Sequence, residues 1–166
     1  MFVKRAEDKH VEGISKVCRE GCLDTYKNLR SQENIERNNR TFYNYERIRQ
    51  ELFEQQGWDG YYVAVENDEV VGAIGGGMTG KTSSEVYVLY LDPSRRGEGI
   101  GSKLLEELTS VQQRKGASEQ WVSVQKGNYK GIPFYEARGF EYVEERPTYS
   151  NEGGEGYVSL RYKRRL

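Results

Sequence analysis

The amino-acid sequence predicts an α/β fold: one domain over residues 1–166, with a central mixed, mostly antiparallel sheet of about seven strands flanked by about four helices. Three observations carry this expectation. The chain has the length of a single compact core. Its apolar residues recur at helical spacing up to Gly57 and alternate with a period of two from Tyr61. Finally, EVYVLYL, SKLLEELTSV and WVSVQ form a strand–helix–strand run, the pattern of a parallel crossover.

In chain order, Phe2 to Ala6 reads as a short strand, and Asp8 offers a cap to a helix with Val11, Ile14, Val17, Cys18 and Cys22 on one face. LRSQENIERNNR is a very polar stretch, and the second helix is expected from Thr41, with Phe42, Tyr45, Ile48, Leu52 and Phe53 at helical spacing until Gly57. YYVAV, a turn at Asn67, Asp68 and Glu69, and VVGAIGGGM make a hairpin, and Glu85 to Leu91 is the third strand of this run. After DPSRR, a helix carries Leu104, Leu105, Leu108 and Val111 on one side and stops at Gly116, before the strand WVSVQ. A short helix near FYEAR ends at Gly139, and FEYVEER and GYVSLRYK complete the sheet.

Lys and Arg number 25 against 26 Asp and Glu, a formal charge of −1 that argues against a broad nucleic-acid footprint and leaves only a local anion site. No apolar run approaches the roughly 18 residues of a membrane span, and MFVKRAEDKH lacks the features of a signal peptide, so the expected location is cytoplasmic, with no membrane partner. Cys18 and Cys22 have no CxxC spacing and no histidine set around them; they read as reduced, partly buried thiols, and no metal is expected. The single histidine, His10, reads as a surface residue.

Two glycine runs compete as phosphate sites. GGGMTGKT, Gly75 to Thr82, has Walker A spacing, but that loop must open a helix. Here SSEVYVLYLDP follows, β-branched, aromatic and alternating, which is a strand. Gly75 to Gly77 instead suit a strand running close to another backbone or a ligand, with TGKTSS as a hairpin turn. RGEGIG, Arg96 to Gly101, lies between a strand and an amphipathic helix, where unpaired N–H groups face whatever binds. That suits a pyrophosphate. A dinucleotide fingerprint would need glycine at Ser102 and an acidic residue ending the next strand, where Gln125 and Lys126 stand. A glycine-rich helix start with no ligand is the remaining alternative.

YLDPSRRGEGIGSKLLEEL resembles the acyl-CoA-binding segment of the GNAT superfamily of N-acyltransferases, whose [QR]xxGx[GA] signature is met by Arg96, Gly99 and Gly101. NYKGIPFYEARGF, Asn128 to Phe140, resembles the segment that follows it in that family, and the order of elements is that of the single-domain GNAT-like fold. The resemblance implies an acetyl-CoA-dependent N-acetyltransferase in which acetyl-CoA is the cosubstrate and a primary amine attacks it directly in a ternary complex. Such enzymes are often homodimers. The first 60 residues match only as elements, and in the family they shape the acceptor site.

By the same resemblance, the main chains of Leu89, Tyr90 and Leu91 bind the pantetheine arm, in a gap where their strand splays from the next parallel one. The amides of Arg96, Gly97, Glu98, Gly99, Ile100, Gly101 and Ser102 hold the pyrophosphate, and Asn128 contacts the coenzyme or caps a helix. Arg95, Arg96, Lys103, Lys126 and Lys130 either add local positive charge or are solvated surface residues. An ammonium acceptor titrates near ~10 and must lose a proton before attack. Glu85, eleven residues before Arg96, stands where some members carry the base, or is a solvated strand-end carboxylate. Leu89 N–H is the oxyanion donor that the family suggests. Tyr135, seven residues after Asn128, stands at the position of the acid that protonates the departing thiolate. Gly131 and Pro133 replace an uninterrupted helix start, so that helix is expected to begin late or bend.

Two other functions are compatible with the sequence: a non-catalytic acyl-CoA-binding sensor or interaction module, which binds without turnover, and, more remotely, a P-loop nucleotidase using Lys81. The acceptor is unspecified. Glu144, Glu145, Glu152 and Glu155, with tyrosines at 43, 45, 61, 62 and 149, would suit a polyamine or other small cationic amine, or simply a charged surface.

Overall fold

From Tyr61 to Val65 every side chain is buried. Such a run cannot alternate between core and solvent; it belongs to a strand covered on both faces. The computed structural model, which describes residues 1–166, shows why. Its elements are β1 (Phe2–Arg5), α1 (Val11–Tyr26), α2 (Gln32–Phe42), α3 (Tyr45–Gln50), β2 (Tyr61–Glu66), β3 (Glu69–Met78), β4 (Ser83–Leu91), α4 (Ile100–Arg114), β5 (Glu119–Gln125), α5 (Gly131–Glu136), β6 (Glu141–Pro147) and β7 (Val158–Arg165). The strands form one sheet in the order β1-β2-β3-β4-β5-β7-β6. Only β4 and β5 pair in parallel; the other neighbours are antiparallel.

Each face of the sheet has its own core. Tyr62, Ala64, Ile74, Val86 and Val122 pack with Leu104, Leu105 and Leu108 of α4. Tyr61, Val63, Val65 and Ala73 pack with Ile14, Val17 and Cys18 of α1 and Ile48 of α3. Alternate residues of β2 thus serve opposite cores, which turns period-two geometry into an unbroken apolar run. The β2–β3 turn has positive φ at Asn67 (51°) and Asp68 (64°), as a tight hairpin turn requires.

Four expectations are corrected here. There are five α-helices, and the polar stretch holds the unforeseen one, α2. Ser31 caps it, its Oγ accepting from Asn34 N–H at 3.1 Å. The helix buries Asn34, Ile35 and Asn38, and Asn34 Nδ2 donates to both carboxylate oxygens of Glu155 at 3.1 Å. A helix seated by hydrogen bonds has no hydrophobic stripe to detect. Thr41 lies in its last turn, donating to Arg37 O at 2.8 Å, and Asn44 is the residue that caps α3. Asp8 opens a 3-10 turn, Asp8–His10, and α1 starts only at Val11. His10 is buried, its Nδ1 accepting from Glu7 N–H at 2.9 Å, and burial lowers its pKa.

Both cysteines are free and buried, Cys18 within the α1 core and Cys22 beside a cavity described below. Burial raises both thiols, Cys22 to about 11, which keeps them protonated and unreactive. Gly80 and Lys81 lie in the β3–β4 hairpin, closed by Thr79 N–H on Ser83 O at 2.9 Å, with no helix after them. The triple glycine is a close-approach device: a Cβ on Gly75 would lie 2.2 Å from the Trp58 ring, and one on Gly77 would lie 1.8 Å from Gly57 O. No helix is long and apolar enough to cross a membrane.

Two measurements check this architecture. Gly77→Ala should cost about 1–3 kcal/mol and lower the melting temperature by several degrees. Gly80→Ala, whose added Cβ would have its nearest neighbour at 3.9 Å, should leave it unchanged. The second concerns Glu155, whose pKa falls from 4.5 to about 2, chiefly through the Arg37 hydrogen bond and then Glu152 N–H. A depressed carboxylate contributes stability that is complete above its unfolded pKa and lost as pH falls toward the folded one. Denaturant midpoints should therefore drop more steeply between pH 4.5 and pH 2 in the wild type than in Glu155→Gln.

Candidate active site

The β3–β4 register pairs Gly75 with Val88 and Gly76 with Val86, leaving Tyr87 as an extra, unpaired residue. A bulge bends its strand and increases local twist. The consequence appears on the other edge of β4, where the parallel ladder to β5 runs from Ser83↔Glu119 to Val86↔Val122 and stops. Beyond that point Val88–Leu91 pair only with β3, and Ser123–Gln125 only with β7. Two strand edges diverge and face each other without hydrogen bonds. This is the gap expected beside Leu89, Tyr90 and Leu91.

A cleft of about 150 Å³ occupies the gap, lined by Leu89, Tyr90, Leu91, Arg96, Gly101, Asn128 and Tyr135 among the expected site residues. At one end of it stands the N-terminus of α4. Gly97 and Gly99 both have φ of 82°, and a Cβ on either would meet nothing within 4 Å, so the loop is open rather than packed over. No main-chain N–H from Arg96 to Ser102 has a backbone acceptor. Ile100 points into the core, and Gly101 lets the Phe134 ring approach to 3.2 Å of where a Cβ would be. The Ser102 hydroxyl is engaged by Arg138.

The basic residues divide by partner. Arg96 and Lys130 line the cleft and converge on one carboxylate, Asp24 of α1, at 3.1 and 3.5 Å. Arg95 pairs with Glu66 and Glu98, and Lys126 with Glu145, whereas Lys103 has no acidic partner. Asn128 Oδ1 accepts from Gly131 N–H at 2.8 Å and Lys130 N–H at 3.2 Å, so it caps α5 while lining the cleft. That helix begins at Gly131 with Pro133 in its first turn; it does not start late. Tyr135 is 9% exposed, held edge-on between Phe134 and Phe140. Burial, and after it the Tyr26 phenol, pushes its pKa well above that of a free tyrosine.

A second cavity, of about 570 Å³, meets the first at the splay: Val86, Val88 and Tyr90 of β4, Ser123 and Gln125 of β5, and Tyr26 line both. Glu85 faces this second cavity, not the cleft. Both its oxygens accept from Arg161, at 2.6 and 3.0 Å, and Arg161 also donates to Ser123 Oγ at 2.8 Å. Glu85 main-chain O accepts from buried Gln112 at 3.0 Å, which fixes the strand at the bulge. The cavity holds one further carboxylate, Glu51, whose pKa is raised by burial against the opposing pull of Arg47.

Sequence reasoning missed Tyr26, Arg30, Glu51, Trp58 and Arg161 in this cavity; they come from separate elements and share no motif. Of the expected acceptor residues, Tyr43, Tyr61 and Tyr149 line it, while Tyr45 and Tyr62 do not. None of the four glutamates suggested for a cationic amine does. Glu144 pairs with Arg146, Glu145 with Lys126, and Glu152 and Glu155 with Arg37. No cluster of three metal-binding side chains is present.

Comparison with known proteins extends the sequence resemblance. In curated sequences, the chain is 30% identical over 94 residues to an uncharacterized N-acetyltransferase of Methanocaldococcus jannaschii, covering 52% of this chain and 41% of that one. It is 30% identical over 84 residues to the thialysine N-epsilon-acetyltransferase of Mus musculus, covering 49% and 45%. The chain thus spans less than half the length of these relatives. Its fold matches the PaiA N-acetyltransferase of Thermoplasma acidophilum, crystallised with coenzyme A, at TM-score 0.82 and 23% identity over 99% of this chain and 98% of that one. A GCN5-related N-acetyltransferase of Rhodopseudomonas palustris matches at TM-score 0.80 and 16% identity, over 99% and 95%. A sequence model of the acetyltransferase (GNAT) family covers residues 24–140, which includes the splayed strands, the open glycine loop and Tyr135; the chain belongs to that family.

Proposed function

We propose that this chain is an N-acetyltransferase that moves the acetyl group of acetyl-CoA directly to a primary amine. The observation that carries the proposal is the splay itself. Its two unpaired strand edges open at one end onto the bare N–H groups of the α4 loop and at the other onto a separate cavity. That is room for an anionic carrier and an acceptor on opposite sides of one transfer point.

In this reading the amides from Arg96 to Ser102 and the α4 dipole hold the pyrophosphate, and Leu89 and Leu91, whose main-chain groups face the open edge while those of Tyr90 between them face β3, offer hydrogen bonds to the pantetheine arm. Asn128 shapes the cleft by capping α5 beside the coenzyme. The neutral amine attacks the thioester carbon, and the oxyanion is stabilised by Leu89 N–H. Collapse breaks the C–S bond, the thiolate takes its proton from Tyr135, and the amine proton passes through water to a carboxylate. Burial makes the Tyr135 phenol a weaker acid, but the thiolate forms in the same buried cleft and gains basicity for the same reason, so transfer stays feasible.

Glu85 is the base we assign. A carboxylate has about four lone-pair positions, and a bidentate guanidinium fills two, which leaves positions for a relay water. Glu51 is the second reading, favoured by its raised pKa, since a buried carboxylate holds a proton more strongly.

Acetyl-CoA should bind in calorimetry, and amine-dependent thiol release should follow. Tyr135→Phe should lower kcat roughly 100-fold, in line with general-acid contributions, with acetyl-CoA affinity within about twofold; an unchanged kcat removes Tyr135 from the chemistry. The base is read from pH–rate profiles. Glu85→Gln should abolish the acidic limb of kcat and Glu51→Gln should retain it, and the reverse pattern assigns the base to Glu51.

A further inference from the structure

We infer that the amine this site acetylates carries a carboxylate, and that Arg30 receives it. The inference rests on the acetyltransferase reading above and concerns only what the second cavity selects.

Four arginines line that cavity, Arg30, Arg47, Arg146 and Arg161, against two glutamates, Glu51 and Glu85. The glutamates are already matched, Glu85 to Arg161 and Glu51 to Arg47. Arg146 is matched outside the cavity, to Glu144. Arg30 has no carboxylate partner. It is nonetheless held in place: Nε and Nη2 donate to Gln125 Oε1 at 3.0 and 2.7 Å, and the guanidinium lies 4.2 Å from the centre of the Tyr26 ring. Nη1 makes no hydrogen bond. A guanidinium set 4.2 Å from the Tyr26 ring and 5.7 Å from the Tyr157 ring, and anchored along one edge, is oriented in advance, with donors left for a planar anion.

Its position makes the site specific to the acceptor. Gln125 and Tyr26, which hold Arg30, are among the residues where the two cavities meet, so the anion would lie beside the transfer point. Arg30 does not line the cleft proposed for the coenzyme, whose own anions have the α4 amides, Arg96 and Lys130. Arg47 adds a second partly neutralised cation. Only its Nε reaches Glu51, at 3.4 Å, while the guanidinium stacks 4.8 Å from the Phe42 ring.

The same charges exclude a polyamine. One ammonium must become neutral to react, but every other ammonium would remain charged inside a cavity with four guanidinium groups and two carboxylates, each of which is already bound to an arginine. The glutamates that would favour a polycation are spent in ion pairs elsewhere on the surface.

The experiment uses matched acceptors: phenylalanine, phenylalaninamide and phenethylamine, and lysine, lysinamide and cadaverine, with spermidine added. Each is assayed by thiol release from acetyl-CoA and compared as kcat/KM of the free base. The carboxylate member of at least one set should exceed both of its partners by about tenfold or more, the size expected for a charge-assisted hydrogen bond pair. Arg30→Gln should cut that ratio to about threefold or less while acetyl-CoA binding is retained. The wild-type comparison stands without any variant. Equal or better turnover of the amides, simple amines or spermidine, or no turnover of the carboxylate members, overturns the inference and leaves the acetyltransferase reading intact. Failure of acetyl-CoA to bind in calorimetry removes that reading itself.

Discussion

The site depends on one missing set of hydrogen bonds, those that β4 and β5 would make beyond Val86 and Val122. Unpaired backbone groups are costly when buried, by roughly 1–3 kcal/mol each, so a strand pair does not part without a cause. The cause lies on the far edge of β4, where the bulge at Tyr87 turns the strand away. Four side chains hold the arrangement at that level, those of Gln112, Arg161, Ser123 and Glu85. Gln112 ties α4 to Glu85 main-chain O, and Arg161 reaches from β7 across β5 to Glu85 on β4, bonding Ser123 on the way. The ladder ends where this stitch begins. Glu85 thus has a structural duty whatever its part in proton transfer, since the ion pair spans the seam that the cleft opens.

Charge is distributed to the same end. The overall balance is near neutral, yet the interior of the second cavity is rich in arginine while several surface glutamates are bound to arginine or lysine. Exposed pairs of that kind contribute little to stability. Their effect here is on placement: Arg37, by holding Glu152 and Glu155, fastens the β6–β7 loop to α2, and that loop supplies Thr148, Tyr149 and Ser150 to the cavity wall. A polar helix without an apolar stripe therefore shapes the wall of the second cavity through hydrogen bonds.

The parts of the fold that rest on hydrophobic period were legible from sequence: seven strands, the long helix after Gly99, and the crossover that makes β4 and β5 parallel. So was the difference between the two glycine runs, because a phosphate loop needs a helix behind it and only Arg96 to Gly101 has one. What escaped had polar causes. The α2 helix is seated by Asn34 and Arg37 rather than by leucines, and His10 is buried because it accepts a backbone N–H. The cavity arginines at 30, 47, 146 and 161 lie on four separate segments, so nothing in their spacing announces that they meet. The Gly75–Gly77 run announced a close approach, but not that Trp58 and Gly57 make it.

The mouth of the cleft shows how a coenzyme would be received under the proposed reaction. Asp24 now draws Arg96 and Lys130 together from the α4 loop and α5, and the cleft behind them has only about 150 Å³. Under that reaction a diphosphate at the α4 N-terminus would meet the bare amides together with the two cations that Asp24 now holds. Coenzyme affinity in such a site reflects the difference between two sets of ion contacts, which is why the cations need no surplus over Asp24 to be effective.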